Sequence, residues 1–231
     1  MPEIEYKATA LFAHCFTCGK DILAASRISR QLVAQGFAVL RFDFAGIGAS
    51  SGEFADTNFS TNVQDLIDAA NWLRNNYRAP ELIIGHSLGG TAILAASPYF
   101  PEAKSYVTIG SPSSPKLILD LIGKDSIEKI NTEGYADVNL EGRIFRIKEQ
   151  FLNDITENAV LKSVQKLRKP LLIMHAPNDQ TVPIMHATEI FHAAAHPKSF
   201  ISLDQADHLI SSKTDAEFIA DVIGGWVKRY I

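Results

Sequence analysis

This chain of 231 residues has little excess charge of either sign, only two cysteines and no long apolar run. Its formal net charge is −4, so no basic surface of the kind that binds nucleic acid is indicated. No apolar run approaches the roughly 18 residues of a membrane-spanning helix, so no membrane partner is expected. The first residues do not resemble a signal peptide, which has a basic segment followed by an apolar stretch. We therefore expect a cytoplasmic protein.

Only two cysteines occur, Cys15 and Cys18. A structural zinc site needs four ligands, and His14 would bring this group to three only. No metal or organic cofactor is predicted. Reversible thiol oxidation is an alternative use of a C-x-x-C pair. Two reduced thiols, the usual state in the cytosol, are the expectation.

Apolar runs alternate with amphipathic helical patterns along the whole chain, without repeats or linkers. Strands are predicted at 8–13, 38–43, 81–85, 106–110, 170–176 and 199–203, and helices at 20–35, 61–75, 89–96, 182–195 and 214–230. The strand segments are nearly continuously apolar, as strands buried on both faces are. The pattern predicts one α/β domain over residues 1–231, in which helices flank a mostly parallel sheet in three layers. Ligands bind such sheets at the carboxyl ends of the strands.

The interval 111–169 breaks this alternation. It contains a short apolar helix around 117–122, and then two alternating segments, 136–140 and 143–147, on either side of Glu141-Gly142. That pattern predicts a hairpin, and further helical pattern follows to residue 167. An insertion on the carboxyl side of two strands is where a cap over an active site would lie. The alternative is a surface excursion that only shields the sheet.

Gly85-His86-Ser87-Leu88-Gly89 matches G-x-S-x-G and lies between a predicted strand and a predicted helix. A sharp strand-to-helix turn exposes the serine hydroxyl, and small residues on both sides prevent clashes. The following helix N-terminus favours developing negative charge. In this context the motif indicates that Ser87 is a nucleophile.

A nucleophilic serine needs a histidine as base and a carboxylate to orient that histidine. The order serine, acid, histidine is typical of this strand-turn-helix motif. Asp179 follows the strand 170–176, and His208 follows the strand 199–203. Both are therefore expected at the same sheet edge as Ser87. We predict the triad Ser87, Asp179 and His208, with Asp204 as the alternative acid.

The remaining histidines and Asp207 are given other roles. His175 is expected to be buried and hydrogen-bonded within its strand, and His86 to shape the pocket. Asp207 adjoins His208 too closely in sequence to orient its ring. Surface or packing roles are expected of the histidines in and after the helix 182–195, which are His186, His192 and His196.

Acyl transfer also needs donors for the oxyanion. The backbone N–H of Leu88, directly after the nucleophile, is predicted to be one donor, and the N–H of Phe16, after the first strand, the other. The loop 41–52 has three glycines, but they do not follow the dinucleotide-binding spacing G-x-G-x-x-G. We interpret it as a loop beside the active site, anchored by Asp43.

These segments together resemble the α/β-hydrolase family. The residues that carry the resemblance are Gly85-His-Ser-Leu-Gly-Gly90, Asp43-Phe-Ala-Gly-Ile-Gly-Ala-Ser50, Asn178-Asp179 and Asp207-His208. The segments 14–21 and 41–46 resemble bacterial hydrolase domains fused to OsmC-type peroxidase domains. The hairpin-bearing insertion is similar to that of feruloyl and cinnamoyl esterases. In those relatives a glycine usually stands at the position of Cys15.

The resemblance implies a serine esterase that acts on small carboxylic esters and needs no cofactor. Thioester or amide hydrolysis, acyl transfer and perhydrolysis on the same triad are alternatives, as is a non-catalytic ligand-binding module. Many relatives begin with two antiparallel strands, whereas only seven residues precede the first strand here. We expect either a free-standing relative or an isolated hydrolase domain, with an OsmC-type domain as a candidate partner.

Overall fold

Six parallel strands form the central sheet of the protein. The computed structural model describes residues 6–140 and 142–231. The sheet has the order β2-β1-β3-β4-β7-β8, and β5 and β6 form a separate antiparallel hairpin. The strands are β1 (Ala8–Ala13), β2 (Phe37–Arg41), β3 (Leu82–His86), β4 (Ser105–Ile109), β5 (Tyr135–Leu140), β6 (Arg143–Lys148), β7 (Leu171–His175) and β8 (Lys198–Ser202).

Helices cover both faces of this sheet. They are α1 (Leu23–Ala34), α2 (Phe59–Asn76), α3 (Leu88–Ala96), α4 (Ile118–Ile122), α5 (Lys124–Glu133), α6 (Glu149–Glu157), α7 (Val160–Lys166), α8 (Met185–Ala193) and α9 (Lys213–Val227). Helices α1 and α9 pack on one face, whereas α2, α3 and α8 pack on the other. In the described ranges, no helix has the length and apolar character to cross a membrane.

Alternation of side chains along the strands explains the three layers. Leu11 and Ile83 point into the core that contains α2 and α3, while Phe12 and Ile84 point into the core that contains α1 and α9. Because both faces are buried, both sets of positions are apolar, and the strands read as continuous apolar runs. The predicted three-layer α/β fold with a mostly parallel sheet is confirmed.

Several element boundaries differ from the prediction for local reasons. Helix α1 begins at Leu23 rather than at residue 20, and the backbone N–H of Lys20 donates to the Asp43 carboxylate. Helix α2 begins earlier than predicted, at Phe59, because Asn58 caps it in a reciprocal pair with Thr61.

The insertion, residues 111–169, leaves the sheet after β4 and returns at β7. It carries the hairpin β5–β6 and the helices α4 to α7, of which α5 was not predicted. The apolar residues of the hairpin, such as Val138 and Phe145, join the core on the α2 and α3 side of the sheet. The insertion is therefore packed onto the domain rather than free of it.

Asp43 anchors the loop that follows β2. Its carboxylate accepts hydrogen bonds from the N–H of Lys20 at 2.6 Å and of Ala49 at 3.0 Å, and it pairs with the Lys20 ammonium at 2.6 Å. Gly48 has a positive φ of 57°, and a Cβ there would lie 2.5 Å from this carboxylate. Burial alone would raise the pKa of Asp43, but these donors lower it to about 2.

Asp43→Asn is expected to lower the free energy of unfolding at pH 7 by roughly 1–2 kcal/mol, since solvent around the half-buried Lys20 screens the pair. A lowered pKa in the folded state stabilises the protein above the unfolded value of 3.8 and is lost as the pH falls through about 2. The difference in unfolding free energy between wild type and variant should therefore shrink from pH 5 to pH 2. Urea titrations at several pH values measure it. A gap that stays constant over this range would contradict the assignment.

Candidate active site

Ser87 stands at the turn between β3 and α3 with a φ of 54°. This conformation is rare for residues other than glycine, and such strain is typical of a nucleophile exposed on a sharp turn. The N–H of Ser87 donates to the carbonyl of Ile109 on β4, which holds the turn to the sheet. At Gly89 a Cβ would lie 2.3 Å from the His14 carbonyl, so only glycine allows α3 to approach β1 this closely.

The structure brings together the three residues predicted as a triad. His208 Nε2 lies 3.0 Å from Ser87 Oγ, and His208 Nδ1 lies 2.8 Å from Asp179 Oδ2. Asp179 follows β7 and His208 follows β8, so both loops end at the same edge of the sheet as the turn at Ser87. Each distance is within hydrogen-bonding range, in the order nucleophile, base and acid.

Asp179 is buried but well supplied with donors. Its Oδ1 accepts the N–H groups of Thr181 at 2.9 Å and Val182 at 2.8 Å, while Oδ2 faces His208. Burial raises the pKa of Asp179, but the His208 and backbone hydrogen bonds outweigh it, so the net pKa is below its usual value. An ionised carboxylate only accepts, so Nδ1 of His208 carries the proton and Nε2 is free to accept from the Ser87 hydroxyl.

The sequence predicts that His86 shapes the pocket. In the structure it lies behind His208 instead and contacts the backbone of that residue. It is fully buried, is not among the residues that line the cavity at Ser87, and its Nε2 lies 2.7 Å from the main-chain oxygen of His208. Burial and the neighbouring His208 ring lower the pKa of His86 to about 4. A neutral His86 therefore donates its Nε2–H to that oxygen and holds the loop of the base in place.

The other candidate acids and histidines lie elsewhere. Asp204 is exposed and bonds to Ser202, and Asp207 bonds to Ser211. His175 is buried, and its Nε2 bonds to the carbonyl of Val182. Three further histidines are partly or fully exposed on and beside α8: His186, which bonds to Ser113, together with His192 and His196.

The two predicted oxyanion donors, Phe16 and Leu88, both line a cavity that contains Ser87 and His208. Within the ranges that the structure describes, neither backbone N–H donates to another protein group. Leu88 is the first residue of α3, where an N–H has no partner within its helix. Two free N–H groups beside the serine are what stabilisation of an oxyanion requires.

The prediction of two reduced thiols is wrong, because Cys15 and Cys18 form a disulfide. Their Cα atoms are 5.3 Å apart across a tight turn in which the N–H of Cys18 donates to the Cys15 carbonyl. This separation is typical of a disulfide. The bridge encloses Phe16, so it fixes the loop that presents one of the two N–H groups. No group of three possible metal ligands occurs among residues 6–140 and 142–231.

His14 braces the same loop, a role that the sequence analysis missed. Its Nδ1 lies 2.8 Å from the Cys15 carbonyl, and its Nε2 lies 3.3 Å from the N–H of Phe44. Burial lowers the pKa of His14, so the neutral ring donates from Nδ1 and accepts at Nε2. Both hydrogen-bonding partners of His14 are backbone groups, and Phe44 is 30 residues away in sequence. No pattern of side chains in the sequence therefore predicts these hydrogen bonds.

The cavity at Ser87 has a volume of about 340 Å³. Its walls come from the turn at Ser87, the insertion, the loops that carry Asp179 and His208, and residues 15–18, which include the predicted donor Phe16 and are called the oxyanion loop below. Apolar side chains predominate, and no Asp, Glu, Lys or Arg is among the described residues that line it. They are Cys15, Phe16, Thr17, Cys18, Ser87, Leu88, Pro112, Leu117, Ile118, Leu121, Asn139, Leu140, Thr181, Val182, His208 and Leu209.

Reduction of the disulfide should slow turnover, because a free loop holds the Phe16 N–H less firmly. Complete loss of an oxyanion donor costs about 10²–10³ in kcat, so a loosened donor should cost roughly tenfold. The measurement is esterase activity after treatment with a phosphine reductant, with a thiol titration to show that both cysteines are free. The variant with Cys15→Ala and Cys18→Ala is the control, and its rate should not respond to the reductant. Equal rates for oxidised and fully reduced wild type would refute the effect.

Comparisons with known proteins identify relatives of this chain. The sequence profile of the family described as Serine aminopeptidase, S33 (Hydrolase_4) matches residues 6–117. The esterase domain of a Rhodothermus marinus protein is 48% identical, with a TM-score of 0.79 over 99% of this chain and 90% of that chain. Est1E from Butyrivibrio proteoclasticus, solved with ferulic acid bound, has a TM-score of 0.85 over 100% and 92% of the two chains, but at 19% identity it shows the fold alone.

A curated relative adds a different activity to the comparison. Mouse mitochondrial palmitoyl-protein thioesterase ABHD10 is 25% identical over 210 residues, which are 84% of this chain and 66% of the relative. The chain therefore spans about two thirds of the length of that relative. The 48% identity to the Rhodothermus domain, over nearly all of both chains, shows that the two proteins belong to one family. As its sequence motifs predict, the chain belongs to the α/β-hydrolase family.

Proposed function

We propose that this protein is a serine hydrolase that cleaves small carboxylic esters through an acyl-enzyme on Ser87. The observation that carries the proposal is the hydrogen-bonded order of Ser87, His208 and Asp179 in a cavity that Phe16 and Leu88, the two predicted oxyanion donors, also line. This arrangement contains a nucleophile, a general base, a group that orients the base, and oxyanion donors.

The geometry supports a two-step reaction. His208 Nε2 takes the proton of Ser87 as the serine oxygen attacks the ester carbonyl, and the N–H groups of Leu88 and Phe16 stabilise the oxyanion. The bond to the alcohol then breaks, and the alcohol leaves with the proton held by His208. Water attacks the acyl-enzyme with the same residues in the same roles, which releases the acid and restores Ser87.

The cavity favours small and uncharged substrates. Its volume of about 340 Å³ lies at the lower end of the range for small-molecule sites, roughly 300–1,000 Å³. Apolar side chains from the insertion, such as Leu117, Ile118 and Leu140, form much of its wall. The proposed substrates are therefore esters of short-chain or aromatic acids. We also propose that the chain is a single domain in which residues 111–169 form a cap over the site.

Thioester hydrolysis is a second candidate function. It would use the same attack by Ser87 with a thiol in place of the alcohol as leaving group. The observation that favours it is the similarity to the mouse thioesterase over most of this chain. Parallel assays with acyl esters and acyl thioesters of the same chain length would separate the two, since the ratio of kcat/KM reports the preferred leaving group.

Two further predictions from the sequence stay predictions. One is the cytoplasmic location. The other is an association with an OsmC-type domain, and it rests on the motifs at 14–21 and 41–46. If the protein is cytosolic, its disulfide belongs to a class that is usually transient, catalytic or redox-sensing. A non-catalytic module is disfavoured by the complete hydrogen-bonded triad.

Ser87→Ala is expected to abolish hydrolysis of p-nitrophenyl acetate and butyrate, with a fall in kcat of at least about a thousandfold. The wild type should prefer these esters to p-nitrophenyl octanoate because the cavity is small. Steady-state rates for the three esters measure both effects, and circular dichroism checks that the variant folds. Turnover that survives the substitution would exclude Ser87 as nucleophile, and a preference for octanoate would contradict the proposed substrate size.

Asp179→Asn should lower kcat by about 10³–10⁴-fold, because an amide can force the His208 ring into the wrong tautomer. Asp204→Asn is the matched control: Asp204 lies in a neighbouring loop, is exposed and does not contact His208. The kcat of this control should stay within about twofold of wild type. If the two variants lose activity equally, the assignment of the acid is wrong.

A further inference from the structure

Arg143 connects the insertion to the loop that carries the Phe16 N–H. It is the first residue of β6, and its Nη1 donates to the main-chain oxygen of Thr17 at 3.0 Å. Thr17 directly follows Phe16 and lies inside the turn closed by the Cys15–Cys18 disulfide. Arg143 is 126 residues away in sequence, so this bond joins two separate parts of the active site.

The backbone at Thr17 needs such a support. Its φ is 58°, a left-handed conformation that is uncommon for residues other than glycine and is strained for a β-branched residue. The Thr17 hydroxyl donates to the Phe16 carbonyl at 2.6 Å. The orientation of Thr17 is thus tied to that of Phe16. The Phe16 N–H belongs to the Cys15–Phe16 peptide group, and the Thr17 carbonyl to the Thr17–Cys18 peptide group. A shift of that carbonyl would be transmitted to the Phe16 N–H through the intervening Phe16–Thr17 peptide group, whose carbonyl accepts from the Thr17 hydroxyl.

Aromatic packing holds Arg143 in this place. Its guanidinium lies 4.9 Å from the ring centroid of Phe145, within the range of a cation–π interaction. The Phe145 ring lies 4.7 Å from that of Phe54, and Phe54 lies 5.8 Å from Phe16. Two sets of contacts therefore connect the insertion with the region of Phe16. One is the hydrogen bond from Arg143 to Thr17, and the other is the packing of the Phe145, Phe54 and Phe16 rings.

We propose that Arg143 is a positioning residue for the oxyanion hole: by holding the Thr17 carbonyl, it aligns the Phe16 N–H with the oxyanion formed at Ser87. The inference rests on the proposed function of the triad. It also gives the insertion a part in the chemical step, beyond its contribution to the wall of the cavity. Because the alignment matters most when negative charge develops on the substrate oxygen, Arg143 should affect kcat more than KM.

Arg146 provides a matched control on the same strand. It pairs with Asp137 of β5 through two hydrogen bonds, at 2.8 and 2.9 Å, and its guanidinium lies over the Tyr135 ring. Arg146 does not line the cavity at Ser87. It thus resembles Arg143 in charge, strand and aromatic contact, but it makes no contact with the oxyanion loop.

Arg143→Met is expected to lower kcat for p-nitrophenyl butyrate by about 10- to 100-fold, since misplacement of a catalytic group by about 1 Å can cost a hundredfold. KM should stay within about twofold. Arg143→Lys, which keeps a donor, should recover part of the loss, and Arg146→Met should match wild type. Thermal unfolding and titration of active serines with a fluorophosphonate give the fraction of folded sites, so that kcat refers to intact enzyme.

The rate of fluorophosphonate inactivation separates alignment from substrate binding. Attack by Ser87 on phosphorus places negative charge on an oxygen in the same hole, so the rate constant should fall in parallel with kcat in Arg143→Met. Equal kcat and equal inactivation rates in Arg143→Met and Arg146→Met would overturn the inference alone. Ester turnover that persists in Ser87→Ala would instead overturn the proposed function, and the inference with it.

Discussion

The turn from β3 into α3 at Ser87 is the constraint on which the rest of the site depends. A positive φ at Ser87 is tolerated only if the flanking backbone packs closely, and Gly89 permits that contact with the end of β1. Strand β1 pairs with β3 in register, so the loop after β1 starts beside the serine. The position of Phe16 thus follows from the same close approach that exposes the Ser87 hydroxyl.

Buried charge imposes a second constraint on the other side of the serine. A carboxylate out of water is costly unless donors surround it, and Asp179 has two backbone N–H groups besides the ring of His208. Since His86 is neutral, it holds the His208 backbone without placing a positive charge next to the base. The orientation of His208 is therefore fixed before a substrate enters, and less reorganisation is needed during the reaction.

The sequence was sufficient for the fold class and for the three residues that now meet in space. This succeeded because parallel strands deliver their carboxyl ends to one edge, so that positions after β3, β7 and β8 are neighbours whatever the loop details. It was not sufficient for the disulfide, for His14 or for Arg143. The hydrogen bonds of those two side chains are with backbone atoms, which any residue type supplies, so the sequence carries no complementary hydrogen-bonding partner for either. Helix α5 was missed because it contributes only Ile130 to the buried core.

One hairpin of the insertion contributes both to the wall of the cavity and, under the proposed function, to the alignment of the reacting groups. Asn139 and Leu140, at the end of β5, line the cavity, and Arg143, at the start of β6, holds the oxyanion loop. These positions belong to two strands that are paired along their whole length, so a shift of this pair moves the wall and the support together. Residues that share a rigid element in this way are coupled, and the effects of substitutions at them do not add. A change that enlarges the cavity at Leu140 therefore acts on the oxyanion loop as well, and selection for a larger substrate at this hairpin is constrained by the need to keep Arg143 on the Thr17 carbonyl.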